Sequence, residues 1–234
     1  MRVGQAGWSV YKAYDAAFPT VGTHLERYSR TLDAVEINSS FYRPHQAKTY
    51  AKWADSVPAG FRFSIKAPQE LTHARRLRDA ADLLDPFLAQ TSALGEKRGP
   101  LLFQLPPSFA YDAAVVEGFF EVLRARYAGP AVIEARHVSW FTPEVNQRLA
   151  AAKVGRVAAD PALVPEAAEP GGDTSLAYYR WHGSPRMYYS DYGPEALDGL
   201  YARATAWPEA WVIFDNTAAF AAMGNALSLK SREA

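Results

Sequence analysis

The 234-residue chain carries 25 Lys and Arg against 25 Asp and Glu, a formal net charge of zero, so the whole-molecule field that drives non-specific nucleic-acid binding is absent. It has no cysteine, which excludes disulfides, thiolate nucleophiles and Cys-ligated zinc. With 49% hydrophobic and 13% aromatic residues it can bury a large core, yet no stretch approaches the roughly 18 uninterrupted apolar residues of a membrane span.

Met1 to Val10 enters strand-like sequence without a basic n-region or an apolar h-region, so the expected location is the cytoplasm. Short apolar runs ending in polar residues then recur, and they predict strands over Arg2–Ala6, Ala34–Asn38, Arg62–Lys66, Leu101–Leu105, Val132–Arg136, Val157–Asp160, Ala177–His182 and Trp211–Asp215. Helical spacing fills the intervals. Tyr50, Trp53, Ala54 and Val57 form one stripe, and Val115, Val116, Phe119, Phe120 and Leu123 form another within Asp112–Tyr127. Thr142-Pro143-Glu144 supplies an N-cap, a first-turn proline and a first-turn acid, and Leu197, Leu200, Tyr201 and Ala204 continue the pattern. Pro161 to Gly172 is rich in Pro and Gly and reads as a long loop, which leaves the sixth helix degenerate. Eight units of about 30 residues predict an α/β fold: a single (β/α)₈ TIM-type barrel domain over residues 1–234. An open doubly wound sheet is the alternative, although no Gly-rich phosphate loop follows the first strand.

Strand side chains alternate, so residues two apart share a face. The rule pairs Glu36 with Asn38, Ser64 with Lys66, Leu102 with Gln104, Glu134 with Arg136, Ala158 with Asp160, Arg180 with His182, and Ile213 with Asp215, all facing inward. Polar strand ends after apolar stems predict one ligand site at the C-terminal mouth of the barrel, with buried ion pairs that merely plug it as the structural alternative. Glu134 with Arg136 reads equally as a positioned catalytic pair or a structural ion pair. Lys66, Arg136 and Arg180 bring three cations to one mouth and suit a carboxylate or phosphate. Glu36, Glu134, Asp160 and His182 are the candidate acids and bases, and Asn38, Gln104, Asp215 and Asn216 are further candidate ligand contacts. Tyr42 and Trp140, in loops after strands, are expected to wall the ligand, whereas Trp181 faces the helices. The cationic cluster of His73, Arg75, Arg76 and Arg78 reads as a solvated helix face. No cofactor is expected. A divalent metal on Glu36, Glu134, Asp160 or His182 stays open, opposed by the interleaved cations.

Several segments together resemble the DUF72 or YecE-like family. They are Gly7-Trp8-Ser9; Val35-Glu36-Ile37-Asn38-Ser39-Ser40-Phe41-Tyr42; Phe63-Ser64-Ile65-Lys66 followed by Leu71-Thr72-His73; Gln104-Leu105-Pro106-Pro107-Ser108-Phe109; Glu134-Ala135-Arg136-His137-Val138-Ser139-Trp140-Phe141; Tyr179-Arg180-Trp181-His182-Gly183; and Phe214-Asp215-Asn216 with Asn225-Ala226. The chain departs from the family pattern at Gln5-Ala6-Gly7-Trp8, where Gly-x-Ser-Gly-Trp is usual, and at Asp215, where Phe-Asn-Asn is usual. The resemblance implies a TIM-type barrel with a pocket and carries no reaction with it, since the family's function is unassigned. The leading expectation is an enzyme (hydrolase, lyase or isomerase) acting by general acid/base chemistry on a small anionic or phosphorylated ligand, sugar-like or nucleotide-like. The alternatives are a metal-dependent nucleic-acid phosphodiesterase or repair-type endonuclease, disfavoured by the neutral charge, and a non-catalytic nucleotide- or nucleic-acid-binding protein.

Overall fold

The computed structural model describes residues 1–233. Its strands are β1 Arg2–Gln5, β2 Ala34–Ile37, β3 Arg62–Lys66, β4 Arg98–Gln104, β5 Ala131–Glu134, β6 Val154–Arg156, β7 Ala158–Asp160, β8 Gly171–Gly172, β9 Ala177–Trp181 and β10 Ala210–Phe214. The helices are α1 His24–Tyr28, α2 Ser39–Tyr42, α3 Ala47–Asp55, α4 Ala81–Thr91, α5 Ala113–Arg124, α6 Pro143–Ala151, α7 Pro194–Thr205 and α8 Ala221–Lys230. The result is a mixed α/β fold with two sheets. One runs β2-β3-β4-β5-β6 in parallel, with the two-residue β8 antiparallel to β6; the other runs β1-β10-β9-β7, all parallel.

Two junctions bring the sheets together. Ala6 forms an isolated parallel bridge with Glu36, extended by the Gly7 N–H donating to the Glu36 carbonyl at 2.9 Å. At the other side only Val157 separates β6 from β7, and its N–H donates to Ile133 of β5 at 3.0 Å. Close approach of β1 to β2 requires glycine at position 4, where a Cβ would collide with the Ala34 carbonyl.

Alternation distributes the strand side chains between two apolar clusters. Phe103, Ile133, Tyr179, Val212 and Phe214 join the large cluster that includes helix residues such as Phe119, Leu123, Leu149 and Leu200. Ala34, Leu102, Val132, Val157, Leu176, Tyr178, Trp211 and Ile213 form a second cluster with residues from both sheets. The α5 stripe buries Val116, Phe119, Phe120 and Leu123, as its spacing predicts. Between β7 and β9 there is no α-helix. The prolines and glycines of that stretch leave only a 3₁₀ turn, Pro165–Ala168, and β8.

One expectation about facing is overturned here. Val157 belongs to the inner cluster and Ala158 to the outer one, so Asp160, two residues after Ala158, follows the outer face instead of the inward one.

At α6 the Thr142 hydroxyl accepts from the Val145 N–H at 3.2 Å, with Pro143 at the first helical position. Thr142→Ala is expected to lower the unfolding free energy by about 1 kcal/mol in urea denaturation, and no measurable loss would contradict that cap. Among the described residues no helix is long and apolar enough to cross a membrane.

Candidate functional site

The C-terminal ends of β2, β4, β5, β9 and β10 carry Glu36, Gln104, Glu134, Arg180 with His182, and Asp215, and these side chains converge on one buried network. Arg180, with no exposed surface, is its centre. Its Nε donates to Glu36 Oε2 at 3.0 Å, and Nη2 donates to Glu36 Oε1 at 2.8 Å and pairs with Asp215 Oδ2 at 2.9 Å. Nη1 donates to Glu134 Oε2 at 3.1 Å and lies 3.5 Å from His182 Nδ1. Each nitrogen of the guanidinium thereby donates to a buried carboxylate. Tyr178 places its hydroxyl 3.1 Å from Glu36 Oε2 and 2.8 Å from Ser64 Oγ, and Gln104 Nε2 donates to both Glu134 oxygens at 3.1 Å.

His182 sits between two carboxylates, Nε2 at 2.8 Å from Glu134 Oε1 and Nδ1 at 3.1 Å from Asp215 Oδ2. Carboxylates on both ring nitrogens favour the doubly protonated imidazolium. Burial pulls the His182 pKa down, but the Glu134 charge and the bonds to Asp215 and Glu134 outweigh it and hold the pKa above its ordinary value. Burial also opposes ionisation of Glu134 and Asp215, yet Arg180 and His182 hold both below the usual carboxylate range.

Three further groups lie at the open side. Lys66 is buried, has no carboxylate within 4 Å among the described residues, and rests its Nζ 4.1 Å from the centre of the Phe41 ring. Burial and then the Arg180 charge lower its pKa. Arg136 is half-buried and contacts the Met187 sulfur at 3.9 Å, again with no carboxylate partner among the described residues. His73 is half-buried and packs edge-on at 5.0 Å against the Phe41 ring that Lys66 also covers, and its pKa falls through burial and then the charges of Lys66 and Arg136. A pocket of about 310 Å³ opens beside Arg136, with Glu134 and His182 also among its lining.

Several sequence expectations are corrected by these contacts. Arg180 is a structural hub and not a free anion binder. Glu134 pairs with Arg180 and His182, and not with Arg136. Asp160 turns away from the network and accepts the Tyr192 hydroxyl at 2.7 Å. Trp140 walls nothing: it is fully buried, donates its indole N–H to the Phe109 carbonyl at 2.8 Å and packs edge-on against Phe109 and Tyr111. Tyr42 is 73% exposed and borders a separate hollow with Arg43, Pro44 and Gln69. Asn216 is buried and donates to Ser190 O and Asn225 Oδ1, tying the loop after β9 to α8. Asn38 lies one residue past β2 at the start of α2, and its buried side-chain Oδ1 has no hydrogen-bond partner among the described residues. Arg75 and Arg78 do pair with surface acids, whereas His73 of the same run packs against Phe41. Trp181 packs on Tyr192 as expected of an outward residue.

Tyr178 was not among the expected site residues, although it stands two residues before Arg180 on the same face. Of the candidate metal ligands, Glu134 and His182 bond each other, Glu36 accepts from Arg180 and Tyr178, and Asp160 accepts from Tyr192. Among the described residues no group of three or more His, Cys, Asp or Glu is arranged to hold a metal ion.

A family model described as "Protein of unknown function DUF72" matches residues 2–234. The UPF0759 protein YecE of Escherichia coli K12 is 29% identical over 120 residues, covering 51% of this chain and 43% of that protein. The UPF0759 protein YunF of Bacillus subtilis 168 is 26% identical over 147 residues, covering 60% and 52%. The matched stretches thus span about half the length of these curated relatives. A DUF72 family protein from Thermotoga maritima MSB8 superposes with a TM-score of 0.82 at 24% identity, covering 99% of this chain and 98% of that one. Another from Enterococcus faecalis V583 gives 0.82 at 20% identity, covering 98% and 94%. These likenesses are of fold. By the match over its length, the chain belongs to the DUF72 family.

Proposed function

We propose that the strands close as one (β/α)₈ barrel domain whose C-terminal mouth binds a small anion at Arg136, with Lys66 and His73 alongside. Support for closure comes from the Ala6–Glu36 bridge, the single-residue join at Val157 and the inner cluster that draws on both sheets.

The ligand reading rests on one observation, the uncompensated charge of Arg136. Glu36, Glu134 and Asp215 contribute three negative charges; Arg180 touches all three and protonated His182 two, and their two positive charges offset two of the three. Lys66 balances the third at longer range. Among the described residues, the Met187 thioether is the one side-chain hydrogen-bond partner of Arg136. A half-buried guanidinium without a counter-ion forgoes strong charge-assisted bonds, and a phosphate or carboxylate would supply them.

Acid chemistry would come from the Glu134–His182 pair, because both residues line the pocket and a proton lies between Nε2 and Oε1. A second reading, binding without turnover, is favoured by the saturation of that same network. Turnover of a bound ligand that disappears in Glu134→Gln while binding persists would decide for acid chemistry.

Titration of inorganic phosphate into wild type and Arg136→Ala tests the site. The variant should lose about 10- to 100-fold in affinity, equivalent to the roughly 1.5–3 kcal/mol of a charged hydrogen bond, with an unchanged melting temperature. Glu134 keeps its other partners, so no stranded charge complicates the comparison. Equal affinities in folded proteins, or no phosphate binding by wild type, would overturn the reading.

A further inference from the structure

We infer that the anion recognised at Arg136 carries an apolar body, of the size of one ring, that fills the pocket beside it. This deepens the anion reading above and rests on it. The pocket runs from the ends of β5 and β9 to the loop after β7, and its apolar wall is built by Pro107, Ala159, Pro161, Leu163 and Met187. The side-chain polar atoms of Glu134 and His182 in its lining are already spent. Both Glu134 oxygens accept bonds from Gln104, with Arg180 on one and His182 on the other, and both His182 nitrogens face carboxylates.

Arg136 is therefore the lining side chain whose donors remain available to a ligand. A polyhydroxylated body placed here would give up its water and find few side-chain partners in exchange, which is unfavourable for each hydroxyl. An aryl or branched aliphatic body would meet proline, leucine and methionine, the last a side chain that adapts to aromatic faces. Leu163, 56% exposed, would gain cover from such a ligand. The volume, about 310 Å³, stands at the small end of ligand pockets, which run from about 300 to 1,000 Å³. The ligand class is accordingly a small aryl or branched-alkyl phosphate or carboxylate, and not a sugar phosphate.

Calorimetric titration with inorganic phosphate, phenyl phosphate and glucose 6-phosphate separates the cases, because the two esters carry the same charge. Phenyl phosphate should bind about tenfold more tightly than either of the others. Leu163→Ser, at an exposed position, should bring the ratio of phenyl phosphate to inorganic phosphate affinity most of the way back to one. If inorganic phosphate binds in an Arg136-dependent way but glucose 6-phosphate equals or exceeds phenyl phosphate, the apolar-body inference falls and the anion site stands. An unchanged phenyl advantage in Leu163→Ser would likewise remove the pocket from the account. If none of the three binds, the anion reading fails, and this inference with it.

Discussion

Replacement of Arg180 by methionine should lower the unfolding free energy by about 3–5 kcal/mol at neutral pH, the cost of stranding buried charges by removing one partner. Methionine approximates the length of the arginine stem but leaves Glu36, Glu134 and Asp215 without the guanidinium that joins them, and all three are buried. Urea denaturation of wild type and variant, compared at equal m-values, measures the loss. Adding Glu36→Gln to the variant should recover part of it, because the amide removes one of the stranded charges. A loss below about 1 kcal/mol would mean that the network does not hold the strand ends together.

The pH profile of stability should be a plateau with two falling limbs. Glu134 and Asp215 are held below the usual carboxylate range, so their contribution is full above the ordinary value of about 4 and is lost as pH falls through that range toward the folded values. His182 is held above its ordinary value of about 6.5, so its contribution is full below that pH and is lost as pH rises through the folded value. Lys66 acts in the opposite sense: its lowered pKa opposes folding while it is charged, and this penalty is relieved on the far alkaline side. The plateau therefore lies between the carboxylate range and about pH 6.5. His182→Gln should lower the plateau by about 1.5–3 kcal/mol, the scale of a charged hydrogen bond, and flatten the limb above it. Chemical denaturation at pH 5 to 9 checks both features. An alkaline limb that survives the substitution would assign it to another group.

Much of this arrangement was legible in the sequence, because alternation works where one strand face packs on helices and the other on a second cluster. Leu102 before Gln104, Val132 before Glu134 and Ile213 before Asp215 all fall on the face of the second cluster. The rule failed at Val157-Ala158-Ala159-Asp160. There the two alanines give no contrast between faces, and the strand is interrupted at Val157. The role of Arg180 was hidden for a different reason. Glu36 and Glu134 lie 144 and 46 residues away in the chain, and only the fold reveals that one guanidinium serves both as well as Asp215. The signal available beforehand was the charge count at the strand ends, where inward acids were numerous enough to consume at least one of the cations. Loop aromatics carried no comparable signal. Whether Trp140 walls a ligand or fills the core depends on the Phe109 carbonyl that receives its indole N–H.

Recognition of a small anion at Arg136, with Arg180 serving the fold, can be seen in a crystal soaked in selenate, a tetrahedral oxyanion whose selenium can be placed by anomalous scattering. The expected result is a peak within hydrogen-bonding distance of the Arg136 guanidinium, on the side of Lys66 and His73, with Arg180 still bonded to its three carboxylates. A peak against Arg180 with those carboxylates displaced, or selenate confined to sites remote from Arg136, would contradict it.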